Sequence, residues 1–249
     1  MLNDKRQGHQ LPIHLEALLT GERVELEYFD SDARFDGRIE IVGGVPAIFV
    51  NRRRGRSDDP RTRFTLAHEI AHFYLHSRLL QAGTIFDDQT IEPDASAVSG
   101  VELEANIFAS ELLLPSALAE KEVRGKLLTL GRIREIAALA HVSLQATAIR
   151  LTDVTSDRCC ALLVVDGVIA WCAGSQDWRN RGLPTRVLRK QPLPADTVVA
   201  RRVDDFDDVS SSLAAWAPQL EFRDVPLYES AMATPFGRLV FLGADDFDL

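Results

Sequence analysis

Two histidines four residues apart, with a glutamate directly after the first, stand at His68-Glu69-Ile70-Ala71-His72. On a helix of about 3.6 residues per turn such histidines lie roughly 40° apart, so both rings can face one point. That point can hold a zinc ion, with Glu69 beside it as general base for a bound water. The same letters also occur in helices that bind no metal, as a solvated histidine pair with an exposed glutamate. The surroundings have to decide.

Around the motif, the segment from Arg61 to His76 reads RTRFTLAHEIAHFYLH, without glycine or proline. Phe64, Ala67, Ala71, Tyr74 and Leu75 recur at spacings of three and four, which is helical periodicity. Pro60 sits just upstream, where a helix can begin but not continue backwards. Thr62 and Thr65 give a weak capping signal, so the start stays open. His76 falls one turn further along the same side. It could be a fourth histidine at the site, but a hydrogen-bonded structural role is preferred.

A catalytic zinc needs a third protein ligand and an open position for water. The stretch from Val101 to Pro115, VELEANIFASELLLP, carries apolar residues at 101, 105, 108, 109, 112 and 113, the pattern of a helix with a buried face, and Pro115 ends it. Glu102 and Glu104 point about 200° apart on such a helix, so only one can be the ligand. Glu102 is chosen because Asn106 follows it by four, on the same face. Asn106 can then hydrogen-bond the outer nitrogen of a metal-bound histidine, a partner such histidines usually have. Glu104 has Phe108 at that offset, which cannot serve. Without the histidine motif, both glutamates would read as the polar edge of an amphipathic helix.

These two blocks, R-x-R-F-T-x-A-H-E-x-x-H-x-x-L-H and E-x-x-A-N-x-F-A-x-x-L-L-x-P, resemble the ImmA/IrrE family of metallopeptidases. The first matches at Arg61, Arg63, Phe64, Thr65, Ala67, His68, Glu69, His72, Leu75 and His76. The second matches at Glu102, Ala105, Asn106, Phe108, Ala109, Leu112, Leu113 and Pro115. Gly43 to Asn51 also looks like the family's strand leading to the catalytic helix. The resemblance covers roughly residues 35 to 155; Leu114 stands where methionine is common, a swap that conserves volume. It implies a zincin-like endopeptidase with His68, His72 and Glu102 as metal ligands and Glu69 as base. Its substrate would be a helix-turn-helix transcriptional repressor, whose cleavage derepresses stress or mobile-element genes.

Bound zinc lowers the pKa of its water from about 15.7 toward about 7. Glu69 would take the proton as that water attacks the peptide carbonyl and pass it to the leaving amine. The oxyanion needs one more donor, for which Tyr74, His76 and Tyr28 are the candidates by type. A His₂Glu site also accepts manganese.

The 249 residues are 46% hydrophobic, enough to bury a sizeable core in two domains. No apolar run is long enough for a membrane span, the polar start MLNDKRQGHQ lacks a signal-peptide core, and Cys159, Cys160 and Cys172 fit a reducing interior. The expectation is a cytoplasmic enzyme. The adjacent Cys159 and Cys160 read as small strand residues rather than ligands.

The net charge of −9 is uneven. Residues 204–249 hold ten acids against Arg223 and Arg238, which argues against nucleic-acid binding there. An acidic surface is the simplest reading, with docking of a basic partner as the sharper one. Arg52, Arg53, Arg54 and Arg56 form a basic cluster before the catalytic helix, either a solvated loop or a substrate contact.

Residues 131–151 read as helix, turn at Val142-Ser143, helix. Direct DNA binding through the second helix is possible, but that helix, SLQATAIR, offers few long polar side chains. A structural hairpin is preferred, and the family carries a similar unit. Beyond it, Asp166-Gly167 between two apolar runs predicts a two-residue β-hairpin. Apolar segments at 196–200 and 238–242 and a helical stretch near 208–217 complete a small domain that resembles a sensory module in relatives. Upstream, Arg23–Phe29 and Gly37–Val50 read as short strands, with Gly43-Gly44 as a turn.

The expected fold is therefore α+β: a metallopeptidase domain over 1–118, a helix-turn-helix-like unit over 119–155 and an α+β, sensory or regulatory domain over 156–249. The alternative function is a DNA- or partner-binding transcription regulator with a non-catalytic metal site.

Overall fold

Helix and sheet assemble around the histidine motif in the way its burial demands. The computed structural model describes residues 10–32, 35–52, 58–87, 100–185, 188–217 and 225–244. The chain forms two compact units, Met1–Leu118 with Ala137–Ser143, and Ala119–Ile136 with Leu144–Leu249.

In the first unit a short helix, α1 (Leu15–Leu19), precedes strands β1 (Glu25–Phe29), β2 (Gly37–Val42) and β3 (Val45–Asn51). Gly43 and Gly44 both take positive φ, 58° and 83°, which closes the β2–β3 hairpin in the mirror-image turn that glycine allows. A two-residue strand, β4 (Phe86–Asp87), completes a sheet of order β1-β3-β2-β4. β1 runs parallel to β3, while β2 is antiparallel to both β3 and β4. Ile39, Ala47, Ile48 and Val50 are buried.

The central helix α2 (Pro60–Leu75) packs against β2 and β3 and against α4 (Gly100–Leu113). Its cap is Asp59, whose carboxylate accepts from the Arg61 N–H at 2.9 Å. Pro60 occupies the first turn, where its missing N–H costs nothing. The threonine cap signal therefore gives way to an Asx cap at Asp59, three residues before Thr62. The expected apolar stripe also needs correction: Ala67 and Ala71 are buried, yet Leu75 is exposed. From Thr65 to His72 every residue of α2 is buried. The helix is enclosed by neighbours, so it has no solvent face over those two turns.

After α2 come α3 (Ser77–Gln81) and β4, then α4. Ala105, Ala109 and Leu113 form the buried stripe of α4 at a spacing of four. Two alanines on that stripe let the α4 backbone approach its neighbour closely. Val101, Phe108 and Leu112 are only partly buried.

Three helices follow: α5 (Ser116–Val123), α6 (Leu130–Ala140) and α7 (Leu144–Val154). His141, at φ 52°, ends α6 with a left-handed residue, and the Val142 N–H returns to the Ala137 carbonyl. In the second unit α7 lies against β5 (Cys159–Val165) and β6 (Val168–Gly174), burying Thr147, Ala148, Leu151 and Thr152. Asp166 and Gly167, at φ 48° and 74°, make the β5–β6 turn as expected.

The chain continues through α8 (Gln176–Asn180), α9 (Val198–Arg201), β7 (Phe206–Ser212), α10 (Leu213–Trp216), β8 (Pro226–Thr234) and β9 (Gly237–Ala244). The second sheet is antiparallel throughout, in the order β6-β5-β9-β8-β7. The apolar segment at 196–200 enters a helical turn, residues 198–201, capped by the Thr197 hydroxyl. Half of 208–217 belongs to strand β7, and only Leu213–Trp216 is helical, which corrects the helical stretch expected there. Pairing with β8 outweighs the local helical pattern, and Asp208 at φ 50° absorbs the register shift.

Because Asp59 holds the start of the helix that carries the histidines, Asp59→Ala is expected to cost about 1 kcal/mol. Urea unfolding of the full chain should show this as a lower midpoint.

Candidate metal centre

α2 delivers both motif histidines to one side, and α4 brings a carboxylate to meet them. His68 Nε2 and His72 Nε2 lie 3.0 Å apart. Glu102 Oε2 lies 3.0 Å from the first and 3.5 Å from the second. Among the described residues, this is the group of three whose ligand atoms all fall within 4.8 Å of one another. Two imidazole nitrogens and one carboxylate oxygen converging this closely are a donor set that suits a divalent ion such as zinc.

The outer nitrogens are engaged too. The His68 Nδ1–H donates to Asn106 Oδ1 at 3.0 Å, which leaves the Nε2 lone pair for a cation. His72 Nδ1 lies 2.9 Å from His76 Nδ1, and His76 Nε2 lies 3.2 Å from Glu104 Oε2. Since a carboxylate only accepts, the His76 Nε2–H donates to Glu104. His76 Nδ1 is then an acceptor for the His72 Nδ1–H. The chain Glu104–His76–His72 sets the tautomer of the second histidine as Asn106 sets that of the first. Phe86 of β4 stacks on the His72 ring, with centroids 4.2 Å apart and planes at 16°.

Electrostatics agree with a ligand set. Burial pushes His72 below its usual range, keeping the ring neutral and its lone pair available. The two histidine rings beside it, His68 before His72, hold the Glu102 carboxyl down to about 2, against the opposing effect of burial, so it stays an anion.

Glu69 is fully buried. Against it lies Gly37 of β2: a Cβ added there would sit 2.5 Å from Glu69 Oε1 and 2.5 Å from Thr65 Cγ2. Only a residue without a side chain lets the strand pass so near the carboxylate.

Other expected residues go elsewhere. The Tyr74 hydroxyl donates to the Leu18 carbonyl at 3.1 Å, and the Tyr28 hydroxyl donates to Glu16 at 2.8 Å. Both phenols are thus engaged by α1 or its flank. His76 acts on the back of His72. Glu104, set aside on sequence as lacking a useful partner, is the acceptor for His76. Its partner sits on the other helix, which helical offsets within α4 cannot reveal. Gly37 and Phe86 were also missed, because strand pairing brings them to the site. Arg52 stacks over the Tyr28 ring at 5.2 Å and faces Asp30 at 3.9 Å. Arg53, Arg54 and Arg56 lie outside the described residues.

The model of the family described as the IrrE N-terminal-like domain, Peptidase_M78, matches residues 16–152, more than half of the chain. The chain belongs to the ImmA/IrrE family. The match takes in both histidines, Glu69, Glu102 and Asn106 of this M78 domain. No curated protein matches the chain. Among solved structures, a Mycobacterium tuberculosis transcriptional regulator is similar with a TM-score of 0.50 and 14% sequence identity. The similarity covers 93% of this chain and 68% of that one, and at this identity it speaks to fold alone. No helix among the described residues is long and apolar enough to cross a membrane.

Two substitutions probe how this M78 site is held. Gly37→Ala should displace Glu69 by about an ångström and lower peptidase turnover on the order of 100-fold, with metal content unchanged. His76→Ala should weaken the affinity for an added divalent metal by roughly 10- to 100-fold in a chelator competition, and His76→Asn, which restores an acceptor, should recover part of it.

Proposed function

We propose that this protein is a metal-dependent endopeptidase whose substrate is a helix-turn-helix transcriptional repressor, so that cleavage derepresses stress or mobile-element genes. The observation that carries this reading is the convergence of His68, His72 and Glu102 beside a buried Glu69 that is not needed as a ligand. Family membership supports peptidase chemistry. The repressor as substrate rests on the resemblance to relatives. A cytoplasmic setting follows from that substrate.

On this reading His68 Nε2, His72 Nε2 and Glu102 hold the ion, zinc by preference, with manganese as the second option. When bound, the ion supplies Lewis-acid activation of water and of the peptide carbonyl. Glu69 takes the proton from the attacking water, and its buried position keeps the carboxylate from bulk solvent. It then returns that proton to the leaving amine. Asn106 and the His76–Glu104 pair keep the two rings aimed. Residues 1–118 would be the catalytic domain, 119–155 a helix-turn-helix-like unit, and 156–249 a regulatory domain.

The alternative is a DNA- or partner-binding regulator whose metal site is not catalytic, and the similar fold of a transcriptional regulator keeps it in view. Against direct DNA binding, α7 turns one face to β5 and β6 and exposes Ala146, Ile149 and Asp153, and its one long basic side chain is the half-buried Arg150.

One variant separates the two readings. Glu69→Gln should retain bound metal and lose cleavage of a co-encoded repressor by about 10²- to 10⁴-fold, scored on gels and by metal analysis. Cleavage undiminished in that variant would remove Glu69 from the chemistry. A metal-free wild type that cleaves no co-encoded repressor would favour the alternative.

A further inference from the structure

The second unit carries a pair of thiols placed for chemistry of their own. Cys160 of β5 stands opposite Gly174 of β6, and Cys172 of β6 stands opposite Leu162 of β5. The two cysteines are therefore diagonal neighbours on one face of an antiparallel pair. Their sulfurs lie 2.9 Å apart. A covalent S–S bond is about 2.05 Å long, so closure needs the sulfurs to approach by less than one ångström.

The surroundings distinguish the two thiols. Cys160 is fully buried within the core that includes Leu162, Trp178 and Val240, and Cys172 packs at its margin, half-buried. Gly174, opposite Cys160, has no side chain because Trp178 and Thr185 fill that space; a Cβ there would lie 2.6 Å from the indole. Cys159 points to the opposite face of β5 by strand alternation.

We propose that Cys160 and Cys172 form an oxidisable dithiol that closes to an intramolecular disulfide, with a hydroperoxide as the oxidant. Cys172, the thiol that solvent reaches, reacts first. Its thiolate attacks the peroxide, forming an S–O bond as the O–O bond breaks. The released oxygen leaves as water or alcohol after taking a proton, and Cys172 becomes a sulfenic acid. The Cys160 sulfur then attacks the Cys172 sulfur. The S–S bond forms, the S–O bond breaks, and the oxygen departs as water with the Cys160 proton. In sum, two thiols and one hydroperoxide yield one disulfide and two molecules of water, or one of water and one of alcohol. The two electrons come from the sulfurs.

Burial holds the Cys160 thiol well above its usual range, and the Cys172 sulfur beside it adds to the effect. Cys160 is thus the resolving thiol, and the second step is the slower one. Cys159, likewise pushed up by burial, does not compete. The bond would staple β5 to β6 within the hairpin, a covalent input that uses none of the residues of the metal centre.

Thiol counting on the full-length protein tests this directly. Reduced protein, denatured and alkylated, should label all three cysteines. After exposure to hydrogen peroxide and removal of the excess, only Cys159 should label, and peptide mapping should find Cys160 joined to Cys172, lighter by two hydrogens. Dithiothreitol should restore all three. Cys160→Ser should lose the bond and leave Cys172 as a sulfenic acid that dimedone traps, whereas Cys159→Ser should form the bond normally. Three thiols persisting under peroxide that oxidises free cysteine would overturn the proposal, as would a bond involving Cys159 or one found only between chains. The wild-type count needs no variant, so a misfolded Cys160→Ser protein would not obscure the answer.

Discussion

Burial of polar side chains on α2 is the constraint around which the first unit is organised. His68, Glu69 and His72 are all inside, on a helix with no solvent face at that level. Each ring removed from water needs hydrogen-bond partners or it destabilises the fold. α4 supplies them in two places, Asn106 to His68 and Glu104 through His76 to His72, and it sets Glu102 between the two rings. The same contacts that make burial tolerable fix which nitrogen of each ring faces the common point. Structural and chemical demands coincide there.

That arrangement depends on small residues as much as on polar ones. Ala105 and Ala109 bring α4 close enough for a glutamate side chain to reach both rings, and Gly37 lets β2 run against Glu69. Phe86, held by pairing of β4 with β2, covers the His72 ring. A wall of glycine, alanine and phenylalanine carries no charge and attracts little notice in a sequence. It sets how precisely the charged groups sit, and precision at the ångström scale governs the rate of positioned chemistry.

The second unit solves a related problem with a carboxylate. Glu229 of β8 is fully buried and accepts from the Val199 N–H at 3.0 Å, the Trp216 indole N–H at 2.9 Å and the Ser211 hydroxyl. It joins α9 and α10 to the sheet and adds a side-chain link between β8 and β7. By sequence Glu229 belongs to the acidic tail, one of the ten acids read as a solvated surface. The structure withdraws it from that surface, because one anion meeting three donors can be buried where an unpartnered one could not.

The residue types and spacings on α2 determined the candidate site. A pair of histidines four apart, a glutamate after the first, and a second helix with Glu102 and Asn106 four apart are patterns internal to single helices, where 3.6 residues per turn makes geometry predictable. The Asp-Gly and Gly-Gly hairpins were legible for the same reason, since positive φ at both turn positions restricts the residues that fit. Tertiary structure alone decided what joins distant segments: that Glu104 serves His76, that Tyr74 turns to Leu18, that Gly37 and Phe86 flank the site, and that residues 206–212 are a strand. Those outcomes depend on which elements meet across the sheet and between helices. No local period encodes such meetings, so the candidate residues His68, Glu69 and His72 could be picked out early, and the contacts that aim them only once the chain was folded.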